Sequence, residues 1–268
     1  MIIYEYTNKM YIARQDLRQI RRIIVADYRE TVDYILGIPL FAQKIGKENL
    51  SSLLCRLGNP EKAIPAVHVA GTNGKGSTCR ALAQMLTGMG YRVGLFTSPH
   101  LVSINERIQI DGENISDADF VWAFETVKEK FTQHPSFFEV MFAMAAVYFR
   151  EKKCDFVVYE TGMGGRLDAT NVLMPELSII TSVGMDHMEY LGDTIEKIAA
   201  EKAGIIKPGI PIIYFKRDEA VAKVIEDTAR GQKSPVIPVE KQDYIINHLG
   251  DKTIDFSLHS RYYSYCNL

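Results

Sequence analysis

The amino-acid sequence predicts an α/β protein: a doubly wound, mainly parallel sheet carrying a P-loop-like turn, with a short antiparallel sheet near the C-terminal end. Three observations predict it. Short β-branched apolar runs alternate with helical segments between residues 67 and 239, the pattern of strands joined by crossover helices. One run, Val67-His68-Val69-Ala70, passes into the turn Gly71-Thr72-Asn73-Gly74-Lys75-Gly76-Ser77-Thr78 and then a helix. Beyond residue 240 the alternation stops, and the runs 243–246, 253–258 and 262–266 follow with no helix between them.

Residues 1–28 are of mixed polarity, with a helix expected over 16–28, and are set apart as an N-terminal extension without an assigned role. Residues 29–240 form the expected α/β domain and 241–268 the antiparallel tail. Within the domain, Thr31, Val32, Ile35 and Leu36 fit an amphipathic helix closed by Gly37 and Pro39. A second helix is expected over 48–57, stopped by Gly58-Asn59-Pro60. The helix after the glycine-rich turn is expected over 79–89, and the next strand over 91–96. Residues 107–115 read as a hairpin around Asp111-Gly112, and Ser116 as the cap of a helix to about 131. Residues 138–151 read as a buried helix and 155–159 as a strand ending at Glu160. Further strands are expected over 177–183, 210–215 and 235–239, with helices over 194–206 and 218–229. A turn region over 247–251 is expected between the first two tail strands.

With 47% apolar and 24% charged residues over 268 positions, the composition is that of a soluble globular protein. A net charge of −2 gives no reason to expect nucleic acid or an anionic membrane as partner. Cys55, Cys79, Cys154 and Cys266 are dispersed, so reduced thiols in a cytoplasmic protein are expected. No apolar run reaches a membrane span, and Arg14, Asp16, Arg18, Arg21 and Arg22 interrupt any signal-peptide core. The expectation is a cytoplasmic monomer acting on small molecules.

The glycine-rich turn has the makings of a phosphate cradle. Glycines let backbone N–H groups converge on an anion, the helix N-terminus favours negative charge, and Lys75 adds a mobile point charge. It is not a strict Walker motif, because Val69 stands at the first glycine position and Gly76 at the Ser/Thr position. Lys75, Ser77, Ser98, Glu160 and His187 all fall at C-terminal strand ends, the edge where such sheets gather ligands. Glu160 ends an apolar strand, a costly place for a carboxylate unless it is paired or binds metal.

The segments GTNGKGS, TSPHL, ERIQIDG, FFE, ETGMGGRLDATN, MDHMEYLG and EKAGIIKPG occur in this order. Together they resemble folylpolyglutamate synthase/dihydrofolate synthase, the folate branch of the Mur ligase superfamily of ATP-dependent amide ligases. The likeness runs from about residue 29 to 215, and TSPHL and GGRLDATN favour the folate branch over the cell-wall branch.

The resemblance implies a Mur ligase central ATPase domain in which Thr72, Asn73, Gly74, Lys75, Gly76 and Ser77 bind the ATP phosphates. It implies that Ser98 and Glu160 hold one Mg2+ and His187 a second. Lys202 matches a lysine that the family commonly carries as a carbamate. Phe138, Glu139, Leu167, Asp168 and Ala169 match segments lining the pterin site, and Met141 stands where the family often has a smaller polar residue. Lys75, Glu160, His187 and Lys202 are then the expected catalytic set. The implied reaction adds L-glutamate to a reduced folate, to dihydropteroate, or to both, through an acyl phosphate. The family chain continues into a smaller α/β domain that supplies much of the glutamate site, and the present sequence stops before it. Two other readings stay open: a muramyl-peptide ligase of the same superfamily, and a non-catalytic ATP-binding fragment.

Overall fold

The computed structural model describes residues 27–39, 48–133, 135–250, 253–259 and 264–265. The expected helix over 16–28 lies outside them up to residue 26. Helix α1 (residues 27–36) already includes Tyr28. Its hydroxyl donates to Asn105 Oδ1 at 2.7 Å, and its ring meets Phe120 edge-on with centroids 5.7 Å apart. Tyr28 thus packs with the domain.

Helix α2 (Glu48–Arg56) buries Leu50, Leu53 and Leu54, the i, i+3, i+4 stripe of an amphipathic helix. It stops where expected, with Gly58 and Asn59 at φ of 78° and 51°. Strand β1 (Ala66–Ala70) leads into α3 (Lys75–Gly88), which begins four residues before the expected position. The reason is local: Gly74, at φ 80°, is the N-cap, so the helix starts directly under Lys75.

Strand β2 (Val93–Phe96) is followed by the hairpin β3 (Ile108–Ile110) and β4 (Glu113–Asn114). Helix α4 (Asp117–Lys128) is capped by Ser116, whose side chain accepts from the Asp119 N–H. Helix α5 (Phe137–Glu151) is buried at every residue from Val140 to Phe149, Met141 included. Then follow β5 (Phe156–Glu160), β6 (Leu177–Ile180), the short α6 (Met188–Leu191) and α7 (Ile195–Ala203). Strand β7 (Ile212–Phe215), α8 (Glu219–Gly231) and β8 (Val236–Val239) complete the domain. In the tail, β9 (Tyr244–Leu249), β10 (Ile254–His259) and β11 (Ser264–Tyr265) form a separate antiparallel sheet.

The main sheet has the order β4-β3-β2-β5-β1-β6-β7-β8. It is parallel from β2 to β8, with β3 and β4 as an antiparallel edge. Alternate residues of a strand serve opposite faces. Val157 and Tyr159 join the core of α4 and α5, whereas Val158 joins that of α3. From β1 the chain winds outward to β2, returns to β5 between them, and crosses to β6 on the other side. That reversal places the ends of β1, β5 and β6 side by side, where a doubly wound sheet forms its binding crevice.

Two expectations shift. Strand β6 ends at Ile180 rather than Val183, because Thr181 and Ser182 turn their hydroxyls onto the backbone after β1. Strand β9 runs on to Leu249, so Asn247 is a strand residue rather than part of the turn. Cys55, Cys79 and Cys154 are free thiols. Among the described residues, no helix is long and apolar enough to cross a membrane.

Candidate active site

The turn after β1 is held from behind and open in front. Lys75 Nζ folds back over it, donating to the carbonyls of Gly71 at 3.0 Å and Thr72 at 3.3 Å. The N–H groups of Lys75, Gly76 and Ser77 are first-turn donors, which a helix cannot satisfy internally. Among the described residues neither they nor the Gly74 N–H has an acceptor. Thr72 is half-buried, while Asn73, Gly74 and Ser77 are exposed.

Glu160 lies behind this turn and is 3% exposed. Its Oε2 accepts the Ser98 N–H at 2.9 Å, and a Cβ placed on Gly76 would lie 3.6 Å from the same oxygen. The carboxylate therefore faces the start of α3. Burial pushes its pKa up, while the Ser98 N–H, Lys75, Arg107 and Arg80 pull it back. The Ser98 turn is supported by Arg107, whose Nε donates to His100 Nδ1 at 2.8 Å and whose guanidinium lies 5.0 Å over the Phe137 ring.

Lys202 on α7 is 2% exposed, and among the described residues no hydrogen bond or ion pair holds its ammonium. Burial, then the charge of Lys75, lowers its pKa to about 8, with Asp186 acting the other way. Asp186 thus lies within the field of the Lys202 ammonium, a residue that no motif or charge pattern in the sequence singles out. His187 stands beside it in the left-handed region at φ 46°, its Nε2 3.7 Å from Asp186 Oδ2 and its side chain exposed. Among the described residues no three His, Cys, Asp or Glu side chains gather as a metal site.

The five residues expected on the substrate side divide. The Phe138 ring packs on Phe96 at 5.5 Å, and Leu167 is 69% exposed. Ala169 packs against the core. Glu139 closes a capping box at the start of α5, its Oε2 accepting the Ser136 N–H at 2.7 Å and hydroxyl at 2.9 Å. Asp168 is buried: Oδ2 accepts the N–H groups of Gly162 at 2.9 Å and Met163 at 3.0 Å, and Oδ1 accepts the N–H and hydroxyl of Thr170. Both carboxylates thus hold their own segments in place, the start of α5 and the loop after β5.

Behind Asp168 lies His68. Its Nε2 is 2.7 Å from Thr170 Oγ1, and because that hydroxyl donates to Asp168, the imidazole is the donor. Among the described residues its buried Nδ1 has no partner, and burial lowers the pKa to about 3, so the ring is neutral.

Residues 69–261 match the family model of the Mur ligase middle domain. The chain belongs to this family. Among curated relatives, it is 47% identical over 216 residues to the dihydrofolate synthase/folylpolyglutamate synthase of Bacillus subtilis, covering 78% of this chain and 50% of that one. Among solved structures, the apo folylpolyglutamate synthase of L. casei superposes with a TM-score of 0.85 at 36% identity, over 90% of this chain and 61% of that one. A folylpolyglutamate synthase complex with AMPPCP and folate gives a TM-score of 0.84 at 36% identity, over the same 90% and 61%. The chain spans about half the length of the curated relative. The matched Mur ligase middle domain begins inside β1 and extends into the tail, so it includes Lys75, Glu160, His187 and Lys202.

Proposed function

We propose that this chain is the nucleotide-binding part of an ATP-dependent ligase that joins L-glutamate to a reduced folate, to dihydropteroate, or to both. The observation that carries the reading is the set of four unpaired N–H groups at Gly74, Lys75, Gly76 and Ser77. A polyanionic triphosphate tail satisfies such donors and matches the helix dipole. The folate part rests on the relatives: the protein at 47% identity bears both synthase names, and a structural neighbour was solved with AMPPCP and folate.

Carboxylates are poor acylating agents, so the γ-phosphoryl group first passes to the acceptor carboxylate, and the glutamate amine then displaces phosphate. Phosphoryl transfer asks for positioning and charge neutralisation rather than a nucleophilic side chain. Lys75 offers that charge from inside the turn. The residues present also fit Mg2+. Magnesium takes one or two protein oxygens and completes its shell with water and phosphate, and Glu160, with Ser98 beside it, faces the cradle as a lone buried carboxylate. We assign one Mg2+ to Ser98 and Glu160 and a second to His187. When bound, the metal neutralises developing phosphate charge. Lys202, with its pKa lowered to about 8, has a neutral amine fraction near neutrality, which reaction with carbon dioxide to a carbamate requires. We place the protein in the cytoplasm as a monomer.

The test is a calorimetric titration with ADP and Mg2+, followed by glutamate-dependent ADP release with dihydropteroate and with tetrahydrofolate. Release with either acceptor supports ligation. ADP binding without release assigns the chain a nucleotide-binding role alone. No ADP binding refutes the reading.

A further inference from the structure

We propose that the hydroxyls of Thr181 and Ser182 are positioning residues for the nucleotide, setting the phosphate cradle in its binding conformation from behind. This rests on the nucleotide reading above and adds residues to it that neither the motifs nor the charges single out.

The segment after β6 grips the turn after β1 at every residue from Ala70 to Asn73. Thr181 N–H donates to the Ala70 carbonyl at 2.9 Å, and Thr72 N–H to the Ser182 carbonyl at 2.7 Å. Thr72 Oγ1 accepts the Gly184 N–H at 3.0 Å and donates to its carbonyl at 3.2 Å. At Gly71, φ is 154° and an added Cβ would fall 2.0 Å from Thr181 Oγ1, so the backbone passes directly against that hydroxyl.

The decisive contacts are at Asn73. Its carbonyl receives Thr181 Oγ1 at 2.8 Å and Ser182 Oγ at 3.1 Å, and its N–H donates to Ser182 Oγ at 3.1 Å. In a trans peptide the C=O and the following N–H point in opposite directions. Pinning the Asn73 carbonyl toward β6 therefore turns the Gly74 N–H away from β6, and this is the first of the four unpaired donors. The two hydroxyls fix an orientation that the flexible glycine turn would otherwise have to adopt at an entropic cost on binding. The same arm continues through Met185 into Asp186 and His187, so the cradle and the His187 segment are anchored together.

The experiment measures ADP affinity in the presence of Mg2+ for Thr181→Val, Ser182→Ala and the double variant, with Thr181→Ser as the conservative control. All are compared at a temperature where circular dichroism shows each folded. Losing a hydroxyl of this kind is expected to weaken ADP about tenfold for Thr181→Val, about threefold for Ser182→Ala, and more for the pair. Thr181→Ser is expected to stay within about twofold of wild type, because it keeps the oxygen. Folate affinity is expected to hold throughout, a split that general destabilisation does not produce. If the double variant does not fold, the single variants decide. Folded variants that bind ADP like wild type overturn the proposal while leaving the nucleotide reading intact. Parallel loss of ADP and folate binding also overturns it. A wild-type chain that binds no ADP overturns both.

Discussion

Two neighbouring loops leave parallel strands at the same edge of the sheet and use their polar groups in opposite ways. After β1, the glycine turn is braced from outside by Thr181, Ser182 and Gly184 and keeps four N–H donors free. After β5, the loop folds around its own Asp168, which collects the N–H groups of Gly162, Met163 and Thr170. The first loop is preorganised and unsatisfied, as a binding site is; the second is satisfied, as a scaffold is. Glu160 and Asp168 sit eight residues apart in one motif, yet one faces the cradle and the other faces inward. Two carboxylates of one motif thus differ in what their oxygens already accept.

The contrast predicts that changes in the first loop alter binding and changes in the second alter stability. The largest effect is expected from Lys75→Ala. Removing the charge folded over the cradle should weaken ADP more than a hundredfold, roughly 3 kcal/mol, with little change in melting temperature. Equal affinity by calorimetry would break the assignment of the cradle.

Next comes Asp168→Asn, which turns an amide donor toward N–H groups that need an acceptor. It should cost about 2 kcal/mol in urea unfolding while the folded fraction binds ADP nearly as before. A selective loss of ADP or folate affinity at unchanged stability would instead place Asp168 in the site.

His68 supplies a pH test of the same scaffold. Its folded pKa of about 3 lies below the ordinary 6.5, so between these values the unfolded chain binds a proton that the folded one refuses. Stability should therefore fall as pH drops below about 6.5, by up to about 1.4 kcal/mol per pH unit from this group. His68→Asn should flatten that part of the urea-midpoint profile; an identical slope would remove His68 as its cause. The smallest effect is expected at Glu139→Ala, where loss of the capping box should cost about 1 kcal/mol of stability and leave ADP affinity alone. A change in folate affinity larger than that would place Glu139 on the substrate side.

Much of the frame was legible because its signals are local. Gly58-Asn59, the Asp111-Gly112 hairpin and the Ser116 cap each act within a few residues, and each lies where the sequence places it. The start of α3 was misjudged because Gly74 reads as part of a loop until its φ of 80° shows it to be a cap. Thr181 and Ser182 read as two more strand residues, since nothing in their neighbourhood reveals a backbone arriving from more than a hundred positions away.

By itself, the sequence determined the strand–helix alternation, the glycine turn, the placement of Lys75 and Glu160 at strand ends, and the likeness to a ligase family. These follow from backbone preferences and side-chain periodicity, which need no distant partner. Only the tertiary structure decided which carboxylate faces the cradle and which is turned onto its own loop, why the buried Lys202 ammonium is held below its ordinary pKa, and what braces the cradle. Those properties are set by hydrogen bonds and burial between segments far apart in the chain, and they exist only once the sheet brings the ends of β1, β5 and β6 together.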